Sequence, residues 1–502
     1  MRSLISVVLM MCGVVCAQQV KDDGWRYVVY PAAVEKQDGG AVRIDYDLST
    51  VPLETSLNSV IWYKGTAAGE GSNPSFAVWA LDDAGEKIER IQEVTIKPNT
   101  DGPIPFPVSD YVKEHLKDGA VSFLIEPRGA PGFSQSVEFK ESPALAIVKA
   151  QKENYMLSDL LAPVWKGGRI VNETLLPTSY DGKAAEANLA FMPSKVISVK
   201  NYALDKTYVE GTDYTVDGRT IRLTADSGIP FYNYSDLYHN NPDAKPRTMK
   251  TVDGGYLTFS ESAFFNDKQL AVTYEHDESW GGPVPKSAKK LLPKSFRTLE
   301  KGQPLKLVVF GDSISVGASA SGKSVRAPWM PRWGDLIVDE LERKYGSDIE
   351  TINPSLGGMR ADWGKNTVSG LVAHEKPDLV ILGFGMNDAG VPFSTEDFIA
   401  NTKAMMESIR VQNPKVEFIL LMSFQNNPKW RSLEPMNGYR EALKAMEGPG
   451  VAVADMWEMH GYLLEHKTYW DMTGNHVNHP NDFLVRVYAQ TLLATLGIDS
   501  EK

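Results

Sequence analysis

Between residues 305 and 456 the chain carries five short, largely apolar runs: LKLVVFGDS, IETINPSLGG, DLVILGFGMND, VEFILLMSF and VAVADM. Strands that are apolar at nearly every position are buried on both faces, which in a globular protein means a parallel sheet covered by helices. Stretches with helical spacing fall between and after them: WGDLIVDELERKYG, TEDFIANTKAMMESIRVQNP, GYREALKAMEG and NDFLVRVYAQTLLATLG. The alternation predicts an α/β/α sandwich around a parallel sheet over residues 305–502.

A chain of 502 residues exceeds the ~250–300 at which a single core stops growing, so further domains precede this one. Over residues 18–152, short segments such as VRIDYDL, SVIWYKG and AVSFLIEPRG alternate apolar, aromatic and β-branched residues between turn formers, which predicts a β-sandwich-like domain. A second β-rich domain is expected over 153–285, with a hairpin signal at Asp217-Gly218. Residues 286–304, rich in Pro and Lys without a sustained period, read as a linker. The opening MRSLISVVLMMCGVVCAQQ places one Arg before an apolar stretch too short to span a bilayer, and reads as a signal peptide over 1–17 cleaved after Ala17. Both cysteines, Cys12 and Cys16, fall in that leader, so the expected mature protein is secreted or periplasmic and holds no thiol and no disulfide. With 64 acidic against 52 basic residues and a net charge of -12, no basic stripe is available to neutralise a phosphate backbone, and nucleic acid is not expected as a partner.

In an open parallel sheet, ligands bind beyond the carboxyl ends of the strands. There the chain places Gly311-Asp312-Ser313 after the first run, Gly357-Gly358 after the second and Gly385-Met386-Asn387-Asp388 after the third. NHVNHPND, with His476 and His479, comes just before the last helix. Each piece alone has an ordinary structural reading: Ser313 as a helix N-cap, the glycines as a turn, Asn387-Asp388 as a cap, and His479-Pro480 as a helix entry. Together they supply a hydroxyl nucleophile, a base and hydrogen-bond donors for a developing oxyanion, the parts of acyl transfer. Asp312 and Asp388 read as acceptors at loop turns, and Asp482 as an acid in the first turn of the last helix.

These four blocks resemble those of the SGNH or GDSL hydrolases, over residues of about 300 to 500. The resemblance implies a flavodoxin-like fold, Ser313 as nucleophile, His479 as general base, and an oxyanion hole built from the Ser313 and Gly358 N–H groups and the Asn387 side chain. One block departs from the pattern. The family commonly has Asp three residues before the catalytic His, and here that position is His476. Asp471, the nearest upstream acid, or a main-chain carbonyl is then left to orient His479, and both stay open. No His-Glu-x-x-His pattern accompanies the two histidines, so neither a metal nor another cofactor is expected. Trp329, Arg332, Trp333 and His476 are candidates to border the substrate, and the tyrosines of FYNYSDLYHNN (residues 231–241) suit either sugar stacking or a packed loop. Resemblance to secreted carbohydrate esterases that join a β-sandwich to this domain implies hydrolysis of small acyl esters, acetyl above all, on an oligo- or polysaccharide as partner. The alternatives are a lipase or lysophospholipase of the same family, and an inactive carbohydrate-binding protein.

Overall fold

The computed structural model describes residues 20–22, 26–29, 31–37, 41–49, 58–69, 75–95, 101–108, 111–112, 115–118, 120–127, 135–139, 144–148, 155–324 and 326–498. The expected leader, with Cys12 and Cys16, lies outside them. The chain divides into two compact units, Met1–Lys152 and Glu153–Lys502.

The first unit is made of two antiparallel sheets. In the strand Val42–Asp47, Val42, Ile44 and Tyr46 point inward and alternate with more exposed residues, the period of two that buries one face of a sheet. They meet Phe76, Val78 and Phe123 of the same sheet and Leu145 of the other, so the core lies between two sheets.

In the second unit the β-rich part contributes β1 (Arg169–Leu175), β2 (Pro193–Asn201), β3 (Thr207–Tyr208), β4 (Tyr238–His239), β5 (Arg247–Lys250), β6 (Tyr256–Phe259) and β7 (Leu270–His276). One sheet runs β1-β7-β2-β3, and a small one runs β4-β6-β5. A third contains the hairpin expected at Asp217-Gly218, where Asp217 pairs with Thr220 and Gly218 takes φ +56°. The α/β part follows with β8 (Leu305–Gly311), β9 (Ile349–Ile352), β10 (Leu379–Gly383), β11 (Glu417–Met422) and β12 (Val451–Asp455). They are all parallel, in the order β9-β8-β10-β11-β12. The helices are α1 (Pro293–Glu300), α2 (Ser313–Val316), α3 (Trp333–Tyr345), α4 (Ala361–Leu371), α5 (Thr395–Gln412), α6 (Glu434–Lys444), α7 (Met456–Leu463) and α8 (Asp482–Thr495).

Two features differ from the sequence reading. The segment 286–304, read as a linker, contains α1: Pro293 starts the helix, and Phe296 and Leu299 are buried. The Glu417 carboxylate at the start of β11 accepts from Lys294 N and Ser295 N, tying α1 to the sheet. The β-rich and α/β parts also share one continuous core, from Leu160 to Ile498. Every residue of α8 is buried, its polar ones included. Arg486 donates to the carbonyls of Val171 and Asn172, and Gln490 to those of Leu160 and Ala162. A face that would be solvated in an isolated α/β domain is here matched to the backbone of the preceding module.

Candidate active site

The strand β8 ends in a glycine because nothing larger fits: a Cβ on Gly311 would collide with the Gly383 carbonyl and the Ser315 hydroxyl. Asp312 then caps α2, its carboxylate accepting from Ile314 N at 2.9 Å, so Ser313 is the first residue of a one-turn helix at the sheet edge. The turn closes at Gly317, which takes φ +85°. Burial pushes the Asp312 carboxyl up to about 7 against the hydrogen bond from Ile314, with nearby Asp388 adding to the rise. Asp388, pushed up to about 6 by burial, accepts from Ala361 N at 2.9 Å and Gly385 N at 3.1 Å. It thereby fixes the loop that carries Asn387. The Asn387 amide donates to Met359 O at 3.0 Å and lies 3.4 Å from Asp312 Oδ2. Gly357 lies against Ser313, so that a Cβ added to it would sit 3.5 Å from the serine Cβ, and Gly358 takes φ +79°.

His479 Nε2 lies 2.8 Å from Ser313 Oγ. Both residues are 8% exposed, sheltered yet open to solvent. The loop that presents the histidine is organised by Asn475, whose Oδ1 accepts from the N–H groups of Val477, Asn478 and His479 at 3.0, 2.9 and 2.9 Å. On the far side of the imidazole, Nδ1 lies 2.9 Å from Glu261 Oε2. A carboxylate can only accept here, so Nδ1 carries the proton and Nε2 is free to accept from Ser313. Asn475 Nδ2 reaches the other oxygen of Glu261 at 3.3 Å. Burial raises the Glu261 carboxyl, but hydrogen bonds from His479 and Asn475, the charge His479 carries when protonated and that of Arg247 outweigh it, and the net shift is downward.

Glu261 follows β6 in the β-rich part, 218 residues before the histidine it touches. Sequence reasoning did not find it, and it stands at Nδ1 in place of the two groups left open there, Asp471 and a main-chain carbonyl. Asp471 is fully buried and turned away: Oδ1 accepts from Leu176 N at 2.6 Å, and Oδ2 accepts from Thr468 N and Oγ1, both at 2.7 Å. Its carboxylate closes a turn and pins β1 to the α/β part. A second correction concerns His476, expected at the substrate. It is fully buried, donating from Nδ1 to Thr258 O at 3.0 Å and accepting at Nε2 from Tyr238 OH at 3.1 Å, with burial holding it down to about 4. Its two nitrogens are thus engaged by β6 and β4, and Thr258 lies on the strand that leads to Glu261.

Trp333 is likewise interior. Fully buried, it donates from Nε1 to Ile314 O at 2.8 Å and braces the turn that carries Ser313. Arg332 pairs with Asp335 at 2.6 Å and lays its stem over Gly317, where any Cβ would collide with it. Trp329 is half-buried, and its indole N–H has no partner among the described residues. The tyrosine cluster is packed: Tyr234 and Tyr238 lie against Trp470, with Tyr180 stacked on Tyr234 at the surface. Among the described residues no group of three or more His, Cys, Asp or Glu side chains is placed to hold a metal ion.

Residues 309–483 match the model of the GDSL-like lipase/acylhydrolase family. Esterase TesA of Pseudomonas aeruginosa is 29% identical over 143 residues, which cover 28% of this chain and 66% of that protein. An arylesterase of Vibrio mimicus is 30% identical over 105 residues, covering 21% of this chain and 48% of the relative. The chain thus spans just under two thirds of one curated relative and about half of the other. Among solved structures, Axe2, an acetylxylan esterase from Geobacillus stearothermophilus, aligns at 21% identity over 40% of this chain and 97% of that one, with a TM-score of 0.33. A two-domain esterase active on acetylated mannans aligns at 16% identity over 44% of this chain and 57% of its own, with a TM-score of 0.35.

Proposed function

We propose that this chain, with its GDSL-like lipase/acylhydrolase domain, is a serine esterase that removes small acyl groups, acetyl foremost, from carbohydrate. The observation that carries the reading is the continuous chain Ser313 Oγ, His479 Nε2, His479 Nδ1, Glu261 Oε2, with contacts of 2.8 and 2.9 Å. In the reaction proposed, His479 Nε2 takes the Ser313 proton as Oγ attacks the ester carbonyl. The oxyanion is received by the N–H groups of Ser313 and Gly358 and by the Asn387 amide, while Glu261 stabilises the imidazolium. The imidazolium then protonates the sugar oxygen as its bond to the acyl carbon breaks, releasing the sugar hydroxyl and leaving an acyl-enzyme on Ser313. Water, deprotonated by His479, attacks that ester, and as the bond to Ser313 Oγ breaks the imidazolium returns the proton to Oγ, releasing the carboxylic acid and restoring the free serine.

A preference for small acyl groups on polar alcohols is supported by what surrounds the nucleophile. Long acyl chains need a contiguous apolar surface. In the α/β part, among the described residues, the exposed large apolar side chains are Val391 and Val411, one on the loop after Asn387 and one on α5. Beside His479 stands instead the half-exposed carboxylate of Glu261. Export to the periplasm or the medium belongs to the same reading, and no helix among the described residues is long and apolar enough to cross a membrane. The test is labelling of Ser313 by an organophosphonate, followed by acetate release from acetylated xylan and mannan compared with turnover of butyryl and octanoyl esters. Labelling at Ser313 with a preference for acetyl supports the proposal. Absence of labelling removes the esterase, and a preference for octanoyl turns it into a lipase.

A further inference from the structure

The strand β11 ends at Met422, and the chain beyond it turns between the two loops that carry Asn387 and His479. On one side this turn is tied to the histidine loop: Asn427 N donates to Val477 O at 3.0 Å, and Asn427 Nδ2 donates to His476 O at 2.8 Å. On the other side it reaches the asparagine loop, where a Cβ on Gly390 would collide with the guanidinium of Arg431. Gly390 closes the single turn that follows Asn387, three residues on, a rise of about 6 Å. Arg431 therefore stands at the carboxyl edge of the sheet, within reach of a sugar unit next to one bound at Ser313.

Nothing neutralises this arginine. Its Cζ lies 3.8 Å from the centre of the Trp430 ring, which itself packs on Leu257, Phe259 and Val477, so the guanidinium is held from one face. Among the described residues no carboxylate, carbonyl or hydroxyl accepts from it. Arg431 is half-buried, and burial alone lowers its pKa, with no acid close enough to oppose the shift. Its nitrogens nevertheless reach solvent: the sealed, unpartnered nitrogens among the described residues include Nε of Arg326 and of Arg486 but none of Arg431. The other cations of this rim are spent. Lys429 holds Asp253 at 2.9 Å, Arg360 holds Asp362 at 2.7 Å, and the charge of Arg247 acts on Glu261.

The chemistry of that group narrows the class of ligand. A guanidinium fixed on an aromatic face offers paired N–H groups along its edges, and these match the two oxygens of a carboxylate. One uncompensated positive charge suits a monoanion. A phosphate monoester carries about two negative charges at neutral pH, and it would meet the half-exposed Glu261 carboxylate in a chain whose net charge is already -12. A neutral sugar would leave the cation uncompensated. In a glycan, the group that meets these conditions is the carboxylate of a uronate.

We propose that Arg431 determines specificity for an acidic glycan, its guanidinium binding the carboxylate of a uronate unit next to the acylated one. The proposal deepens the esterase reading and rests on it for the ester, whereas the contact between Arg431 and the carboxylate needs no reaction.

Two measurements on the full chain test it. The first compares kcat/KM for acetylated xylotriose with and without a glucuronate branch, a pair that differs in the acidic unit. The parent should favour the branched ester at least ~10-fold, the lower end for hydrogen bonds to a charged group. Arg431→Gln should erase that preference through KM, and Arg431→Lys, which keeps the charge and loses the fork, should retain part of it. An arginine that only braces the Asn387 loop would, when replaced, slow both esters alike and leave the preference in place. The second measurement is calorimetric titration of the unmodified chain with the deacetylated pair, with trigalacturonate and, as the rival anion, with inorganic sulfate, which covers the case where the variants do not fold. At least one uronate should bind more tightly than xylotriose, and raising NaCl from about 0.05 to about 0.5 M should weaken that binding and leave xylotriose unaffected. Binding of no uronate, equal binding of acidic and neutral sugars, sulfate bound in place of uronate, or a preference that survives in Arg431→Gln each overturns the proposal. If neither ester is turned over, the esterase reading fails, and the titration still decides the carboxylate contact.

Discussion

At the scale of single residues, the position that changes the account is Glu261. If it orients His479, Glu261→Gln should lower kcat by up to ~10⁴-fold, because a neutral amide permits the wrong imidazole tautomer and cannot stabilise the imidazolium. Asp471→Asn should leave kcat within a few-fold and lower Tm instead, since both Asp471 oxygens accept from backbone and hydroxyl donors far from the imidazole. Measuring kcat and Tm for the two variants separates the roles, and the opposite pattern would return Asp471 to the site. Ser313→Ala should cost about 10⁴-fold or more, and adding His479→Ala little beyond it, because such groups act as one unit. Ser313, Asn387 and His479 were legible because each stands at a strand or helix end, where local spacing carries the signal. Glu261 was not, because it follows an ordinary short strand in a different module and nothing nearby in sequence marks it. The one faint sign was negative: a histidine, His476, at the position where the resemblance called for an acid.

At the scale of elements, the loop 474–480 and the small sheet β4-β6-β5 behave as one piece. His476 takes φ +68° and joins them through Thr258 and Tyr238, and Leu257, Phe259 and Val477 pack together. This coupling has a pH signature. The folded-state pKa of His476 is depressed from 6.5 to about 4, so the unfolded chain binds a proton more readily between those values. Its contribution to stability is therefore full above pH 6.5 and is lost as pH falls towards 4. Buried Asp312 and Asp388, raised to about 7 and 6, act in the opposite sense, favouring the fold at the acid end. The useful measurement is thus a difference: chemical denaturation from pH 7 to 4 for the parent and for His476→Gln. The parent should lose up to ~1.4 kcal/mol per pH unit more than the variant, and parallel curves would show that His476 is not held neutral. The parallel sheet and its helices could be read from apolar runs alone. That α8 would be buried all round could not, because Arg486 and Gln490 look solvated until the carbonyls of residues 160–172 are placed over them.

At the scale of the whole molecule, the β-rich part from residue 153 and the α/β part are fastened by a fully buried ion pair, Lys467 Nζ to Glu173 Oε1 at 2.5 Å. Tyr274 OH and Ala190 N also donate to Glu173, at 2.6 and 2.9 Å. Lys467→Met should destabilise the unit by about 3–5 kcal/mol, because it leaves a carboxylate buried without its counter-charge. Pairing it with Glu173→Gln should recover much of that loss, and a denaturation cycle over the four proteins would measure the coupling. The unit Glu153–Lys502, produced without the first 152 residues, should fold and keep parent-level turnover of p-nitrophenyl acetate, since every residue of the candidate site lies within it. A chain starting near residue 286 should be inert even where it folds, for want of Glu261. The parts of the site also leave the ribosome in a fixed order: the acid first, the serine next, and the histidine last. On the proposed reading, a copy that stops short of His479 lacks its base, and an enzyme that draws its acid from an earlier module becomes armed only when synthesis and docking are both complete.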